Sequence, residues 1–210
     1  MNTLSQASQD IFVRVITGHK KNGRFIEIGS SHPITGNNSY ILECAYGYKG
    51  IMVEYDRQYA PSYPIYRPNS IHIIGDAQTV DYKSILDTNS FPTNIDYLQI
   101  DLDVDNRSTL NVLELFNQTV FPYYKFATVT FEHDIYRGDY FNTREASRQI
   151  FANNGYVRVF PDVSLYIDGV CCQFEDWYVH PDLVSSDIIN KIKSDVSMTH
   201  EQISAILQAL

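Results

Sequence analysis

The sequence has no run approaching the ~20 consecutive apolar residues that a membrane span requires, so an embedded segment is not expected. Cysteine is scarce. Three occur in 210 residues, two of them adjacent (Cys171, Cys172), which suits neither a disulfide framework nor a zinc spacing. Reduced, buried thiols are the simpler expectation. Basic residues are outnumbered, 16 Lys and Arg against 25 Asp and Glu, for a net charge of −9. Nucleic-acid backbones and anionic membranes both need clustered Lys and Arg, so neither is expected as a partner. The opening residues MNTLSQASQD lack the basic start and apolar core of an export signal, which points to a cytoplasmic protein. The G-x-G-x-x-G fingerprint of dinucleotide-binding turns is also missing.

The apolar fraction of 44% and the charged fraction of 20% are ordinary for a globular chain. No repeat, linker or low-complexity tract divides it. We expect one domain over 1–210, with 1–23 an N-terminal extension and 181–210 a pair of C-terminal helices. Sixteen tyrosines are a heavy load, and half-buried surface is the expectation for most of them.

The stretch RFIEIGSSHPITGNNSYILE, Arg24 to Glu43, organises the rest. Phe25 to Ile28 reads as a buried parallel strand ending at Gly29. Polar turn residues follow. From Asn37 the pattern is helical, with Tyr40, Ile41, Cys44 and Ala45 at helical spacing. Strand, glycine turn and helix together hold nucleotide-type ligands, because free backbone N–H groups gather where the helix starts.

Upstream, Ile11 to Ile16 is equally readable as a helix turn or an edge strand. Further strands are expected at Gly50–Tyr55, Ile71–Ile74, Ile95–Ile100, Phe126–Phe131 and Tyr156–Phe160, with a seventh within Leu165–Val179. Helices are expected over Ser108–Val120, capped by Ser108, and over Thr143–Asn153, stopped by Asn154-Gly155. Residues 56–70 are rich in proline and tyrosine and read as a loop, in which a PxxP ligand is less expected than a plain turn of the chain. This alternation predicts an α/β fold: a doubly wound, Rossmann-like, seven-stranded and mainly parallel sheet with helices on both faces.

In such sheets ligands lie beyond the carboxyl ends of the strands. Polar residues collect there: Glu27 to Gly29, Glu54, Asp76, Asp101 to Asp103, and Glu132 to Asp134. Without the second and third glycines a pyrophosphate cannot lie on the backbone, but an adenosyl group can. Glu54 is placed to accept from two ribose hydroxyls, Asp76 from an adenine amino group, and the Ala77 N–H to donate to a ring nitrogen.

The strings FIEIGSSHPITGNNSYILE, GIMVEYD, GDA, IDYLQIDLD, TFEHD and FEDWYVHP fall in order from Arg24 to Pro181. In this the chain resembles the FkbM-like group of class I S-adenosylmethionine-dependent methyltransferases. The resemblance implies S-adenosylmethionine as cofactor and methyl transfer to oxygen, with a small-molecule or glycan acceptor. Glu27, Gly29, Ser30, Asn38, Glu54, Tyr55, Asp76, Ala77 and Asp101 would form its cofactor site. One departure stands out: His32-Pro33 replaces the family's common Asp-Gly pair, and proline removes a backbone donor. Cofactor binding is expected to persist through Ser30, Ser31 and Asn38. A non-catalytic module with the same fold is the alternative.

Methyl transfer to a hydroxyl needs alignment and a proton acceptor. His133 is the leading general base because its ordinary pKa lies near neutrality, with Asp101, Asp103 and Glu132 beside it. A histidine merely satisfied at a strand end is an equally weighted reading. Mg²⁺ held by Asp101 or Asp103 with Glu132 or Asp134 is admitted but not favoured, since no ligand spacing is fixed. We therefore expect no resident metal. Phe174 and Trp177 are expected in the core, and Arg144 and Arg148 on a solvated helix face. Ile189, Ile192, Ile203 and Leu207 either cover the sheet or support a homodimer.

Overall fold

The computed structural model describes residues 3–102 and 107–210. Seven strands form one sheet: β1 (Arg24–Ile28), β2 (Lys49–Glu54), β3 (Ile71–Ile74), β4 (Asn94–Ile100), β5 (Lys125–Glu132), β6 (Val157–Ile167) and β7 (Val170–Val179). Their order is β3-β2-β1-β4-β5-β7-β6. β1 to β5 are mutually parallel, while β7 runs antiparallel to both β5 and β6. β1 lies between β2 and β4, so the chain winds outward in both directions from it, and the switch in strand order falls between β1 and β4.

Helices cover both faces. α4 (Tyr82–Thr88), α5 (Ser108–Thr119) and α6 (Phe141–Asn153) pack on one, around Leu86, Leu113, Phe116 and Phe151. On the other lie α1 (Gln9–Ile16), α2 (Tyr40–Tyr46), α3 (Tyr63–Tyr66), α7 (Ser186–Ile192) and α8 (His200–Gln208). Burial of a large apolar side chain contributes about 1.5–3 kcal/mol, and both clusters hold many such residues.

The ambiguous Ile11–Ile16 segment is helical. Ile11, Phe12, Val13 and Ile16 are all buried, and the Phe12 ring stacks on Trp177 at 4.9 Å. α1 thus completes the core over β7. Phe174 and Trp177 are buried as expected. Ile189, Ile192, Ile203 and Leu207 are also buried in the chain's own core, which removes them from any interface between copies.

Other expectations need correcting. α2 forms where predicted, but Leu42 and Glu43 are its buried residues, while Cys44 and Ala45 are exposed. Polar anchoring of its first turn sets its rotation, overriding the apolar spacing. Cys171 is exposed as well, so only Cys172 is a buried thiol. Ser108 is the first residue of α5 rather than its cap, and Arg107 precedes it in left-handed conformation. α6 starts two residues earlier than expected, at Phe141. The 56–70 loop contains a short turn of 3₁₀ helix, Arg57–Tyr59, before α3. β6 runs on to Ile167, past a register irregularity at Pro161 and Asp162, and the Asp168-Gly169 turn (φ 50° and 81°) joins it to β7. The proline made the sequence look like a strand end.

Gly29 ends β1 with φ 84°, and a side chain there would place Cβ 1.7 Å from the Asp101 carbonyl oxygen. Both the conformation and the close approach of β1 to the end of β4 exclude any other residue. Gly29→Ala is expected to lower unfolding free energy by at least ~3 kcal/mol, measured by urea denaturation, because backbone at such a contact does not yield cheaply.

Candidate active site

Two adjoining cavities, of about 580 and 440 Å³, lie at the strand ends, the first over the switch point and the second beside it at the ends of β2 and β3. Glu27, Gly29, Ser30, Asn38, Glu54 and Asp101 line the first; Val53, Asp76, Ala77 and Ser108 line the second. Tyr55 and Leu102 line both, which makes them one crevice. All of the expected cofactor positions reach it. Asp103 lies outside the described residues.

The turn between β1 and α2 is built on Glu27, a buried carboxylate. Its Oε1 accepts from the backbone N–H groups of Asn38 and Ser39, each at 3.1 Å. Its Oε2 accepts from Ser39 Oγ at 2.8 Å and Asn37 Nδ2 at 3.1 Å. A carboxylate offers about four acceptor sites, so Glu27 is filled by the chain and its own charge caps the start of α2. The N–H groups of Asn38 and Ser39, just ahead of α2, are thus already engaged. Burial raises the Glu27 pKa, while Arg67 and these donors oppose the rise. Arg67, from the 56–70 loop, is fully buried. It donates to Asn37 Oδ1 (2.7 Å), Ser39 Oγ (2.6 Å) and Glu43 Oε2 (2.9 Å). Nothing in the sequence around Arg67 separates it from a solvated loop arginine, and the sequence reading missed it.

His32-Pro33 forms its own small turn. His32 Nδ1 accepts from the N–H groups of Ile34 and Thr35, and Arg67 Nη1 reaches the Pro33 carbonyl at 3.4 Å. The donor that proline lacks is not needed there. Ser31, with φ 49°, turns its N–H onto Glu54 Oε2 at 2.6 Å, and Asp56 N donates to Glu54 Oε1 at 2.7 Å. One donor on each oxygen leaves Glu54 with two acceptor sites beside the crevice. Asp76 uses Oδ1 to cap the turn Ala77–Thr79, accepting from Gln78 N at 2.9 Å, and is otherwise exposed.

Across the crevice, Asp101 hydrogen bonds with Glu132 and receives Gln99 Nε2 at 3.3 Å. Burial raises both carboxyls, Glu132 well above its ordinary range, and the charge of Asp134 raises them further. A hydrogen bond between two carboxyl groups needs a proton on one of them, and the upward shift of both favours its retention.

His133 does not join them. It is fully buried, with Nε2 3.5 Å from Asp162 Oδ1 and 3.6 Å from Asp176 Oδ1, and it lines neither cavity. A general base must reach the acceptor, and this ring faces the other way. Arg148 and Arg144, expected on a solvated face, are instead paired there. Arg148 Nη2 donates to Asp162 Oδ1 (2.8 Å) and Asp176 Oδ1 (2.9 Å), and Arg144 Nη1 to Asp162 Oδ1 (3.1 Å). These ion pairs and hydrogen bonds hold the Asp176 pKa far below the carboxylate range against the effect of burial. Among the described residues, His133, Asp162 and Asp176 are the only three side chains grouped as a metal site would need. With Asp162 N–H on Asp176 Oδ1 at 2.7 Å, however, each of those oxygens already accepts two donors. Two arginines occupy the place of a cation.

No protein-family model matches the sequence, and no curated protein matches it at significant similarity. Solved structures do match the fold. A TehB-like SAM-dependent methyltransferase of Corynebacterium glutamicum is 11% identical over 85% of this chain and 89% of its own, with a TM-score of 0.50. Cofactor-bound Rv0187 from MTB is 15% identical over 82% and 79%, at 0.54. P. horikoshii TYW2 in complex with MeSAdo is 12% identical over 86% and 64%, at 0.50. The chain therefore has the Rossmann-like fold of these methyltransferases.

Beneath the crevice, Glu175 is fully buried, accepting from Gln9 Nε2 at 2.9 Å and Trp177 Nε1 at 2.5 Å. Burial, then the charge of Asp101, pushes its pKa from 4.5 up to about 8. A carboxyl raised on folding contributes stability fully present below its unfolded pKa, and that contribution is lost as pH rises through the folded one. Between pH 4.5 and 8, Glu175→Gln should remove up to ~1.4 kcal/mol per pH unit from the decline of wild-type stability, read from urea denaturation at a series of pH values.

Proposed function

We propose that the protein is an S-adenosylmethionine-dependent methyltransferase acting on a hydroxyl of a sugar, glycan or small metabolite, allied to the FkbM-like group that its motifs resemble. The observation that carries this reading is Glu54. Its two remaining acceptor sites face one crevice with Asp76 and Ala77, at the switch point of the sheet. Vicinal ribose hydroxyls match two acceptor sites on one carboxylate. The slot of Val53, Ala77 and Leu102 suits the faces of a purine, with the unpartnered oxygen of Asp76 at its edge. Glu27 caps the turn rather than touching ligand, and Gly29 permits the close approach.

Bound there, the cofactor supplies an electrophilic methyl group on a sulfonium. The chain's part is to align the acceptor and take its proton. Asp101 lines the crevice and is bonded to Glu132, so this pair replaces His133 as the proton acceptor. When Asp101 is the ionised partner, it can draw the hydroxyl proton while Glu132 keeps its own. The same shared proton lowers the charge that a divalent ion would need, which disfavours Mg²⁺ at these residues. A chain of net charge −9 with an acidic crevice fits an uncharged or cationic acceptor better than a nucleic-acid backbone. Among the described residues no helix is long and apolar enough to cross a membrane.

Calorimetry should show binding of both S-adenosylmethionine and S-adenosylhomocysteine by the wild type. Loss of charged hydrogen bonds at about 1.5–3 kcal/mol predicts roughly 10- to 100-fold weaker binding in Glu54→Ala. Absence of wild-type binding would overturn the reading, and binding without methyl transfer from labelled cofactor to any hydroxylated acceptor would favour a non-catalytic module. Transfer should also survive a metal chelator, and His133→Ala should leave cofactor affinity unchanged.

A further inference from the structure

We infer that Arg67 is a positioning residue for the cofactor, acting on the crevice through the turn at 30–39 without lining it. The inference rests on the methyl-transfer reading above. Dinucleotide-type turns keep their shape through glycines at fixed spacing. This turn has only Gly29 and Gly36, with His32-Pro33 between them. Its shape must come from side chains, and the geometry points to one.

Every N–H-bearing nitrogen of the Arg67 guanidinium is engaged. Nε donates to Glu43 Oε2 at 2.9 Å, Nη1 to Asn37 Oδ1 at 2.7 Å and to the Pro33 carbonyl at 3.4 Å, and Nη2 to Ser39 Oγ at 2.6 Å. Nη1 also lies 3.8 Å from Glu27 Oε2. The group packs near the rings of Phe25 and Tyr40, at 5.6 and 6.0 Å. One planar cation thus grips both ends of the turn, its Pro33 bend and its Asn37–Ser39 exit. It also neutralises the carboxylate that caps α2. The next links are direct: Asn37 Nδ2 holds the Ser30 carbonyl at 2.9 Å, and Ser30 and Asn38 line the crevice. On the far side, Tyr63 O–H donates to the Ser31 carbonyl at 2.7 Å, tying the same loop to the residue whose N–H orients Glu54. Lysine carries the charge but not the fork, so it cannot satisfy three separate directions at once.

The test measures S-adenosylhomocysteine binding by calorimetry and amide hydrogen exchange on wild type, Arg67→Lys and, as a stability control remote from the turn, Leu207→Ala. At a temperature where all three are folded, Arg67→Lys should bind roughly tenfold or more weakly and lose protection at the Asn38 and Ser39 amides. Leu207→Ala should lose stability and keep wild-type affinity. A folded Arg67→Lys protein with wild-type affinity overturns the inference, as does equal weakening by Leu207→Ala, which would make the effect one of stability alone. If Arg67→Lys does not fold, Ser39→Ala removes the acceptor of Nη2 while both ion pairs remain. It should weaken binding in the same direction by a smaller factor, and unchanged affinity overturns the role. A wild type that binds no S-adenosylhomocysteine fails the functional reading itself. That outcome is distinct from failure at Arg67, in which wild type and variant bind alike.

Discussion

A single buried carboxylate, Glu27, fixes the geometry on which the crevice depends. Strand β1 delivers it to a point where α2 must begin, and it takes the N–H groups of Asn38 and Ser39, just ahead of that helix, and the side chains of Asn37 and Ser39. An isolated ion there would be costly to bury. Arg67 offsets that cost, and Glu43 supplies a second carboxylate on the opposite side of the guanidinium. Buried sets of this kind add little net stability over apolar packing, but breaking one partner leaves an uncompensated charge worth about 3–5 kcal/mol. The arrangement therefore specifies shape more than it adds stability. It also explains why the turn needs no glycine fingerprint: side chains fix its shape from within the chain.

From this anchor the crevice follows by topology. β1 and β4 stay paired to their ends, where Asp101 N donates to the Ile28 carbonyl at 3.0 Å and Gly29 passes close under the Asp101 carbonyl. The crevice opens beyond them at the switch in strand order. Neighbouring strands then present their carboxyl-end residues to one space: Glu54 from β2, Asp76 after β3, Asp101 after β4. The strand order makes these residues, distant in sequence, line one groove.

The sheet and its seven strands were legible because buried parallel strands are short, apolar and end in polar turns. The end residues Glu54, Asp76 and Asp101 were legible for the same reason, since parallel topology leaves them nowhere else to go. What remained hidden shares a physical cause. Arg67 sits in a proline- and tyrosine-rich loop whose local pattern carries no periodicity, and its partners are 24 to 34 residues away. The rotation of α2 followed those partners rather than its own apolar spacing. β6 was cut short because Pro161 and Asp162 mark a strand end in most contexts, and only pairing with β7 shows them to be an irregularity within one. His133 was misassigned because sequence places it between two crevice acids without saying which way its ring leaves the strand.

That last point shows how the chemistry is divided. Successive residues at the end of a strand point to opposite faces. β5 pairs Glu132 with Glu175 and Phe131 with Asp176, so each face collects its own acidic residues. On the α6 face, Asp176 and Asp162 surround His133, and Arg144 and Arg148 from α6 supply two cations to match two carboxylates. On the α1 face, Glu132 bonds Asp101, while Gln99 donates to Asp101 and Gln9 and Trp177 donate to Glu175, all three donors neutral. Burial and the neighbouring acids raise the pKa values of all three carboxyls, whereas the arginine contacts on the α6 face lower that of Asp176. One face is thus a closed ion-pair network that holds β5, β6, β7 and α6 together. The other gathers carboxyls whose pKa values burial raises, and it is the face that opens on the crevice.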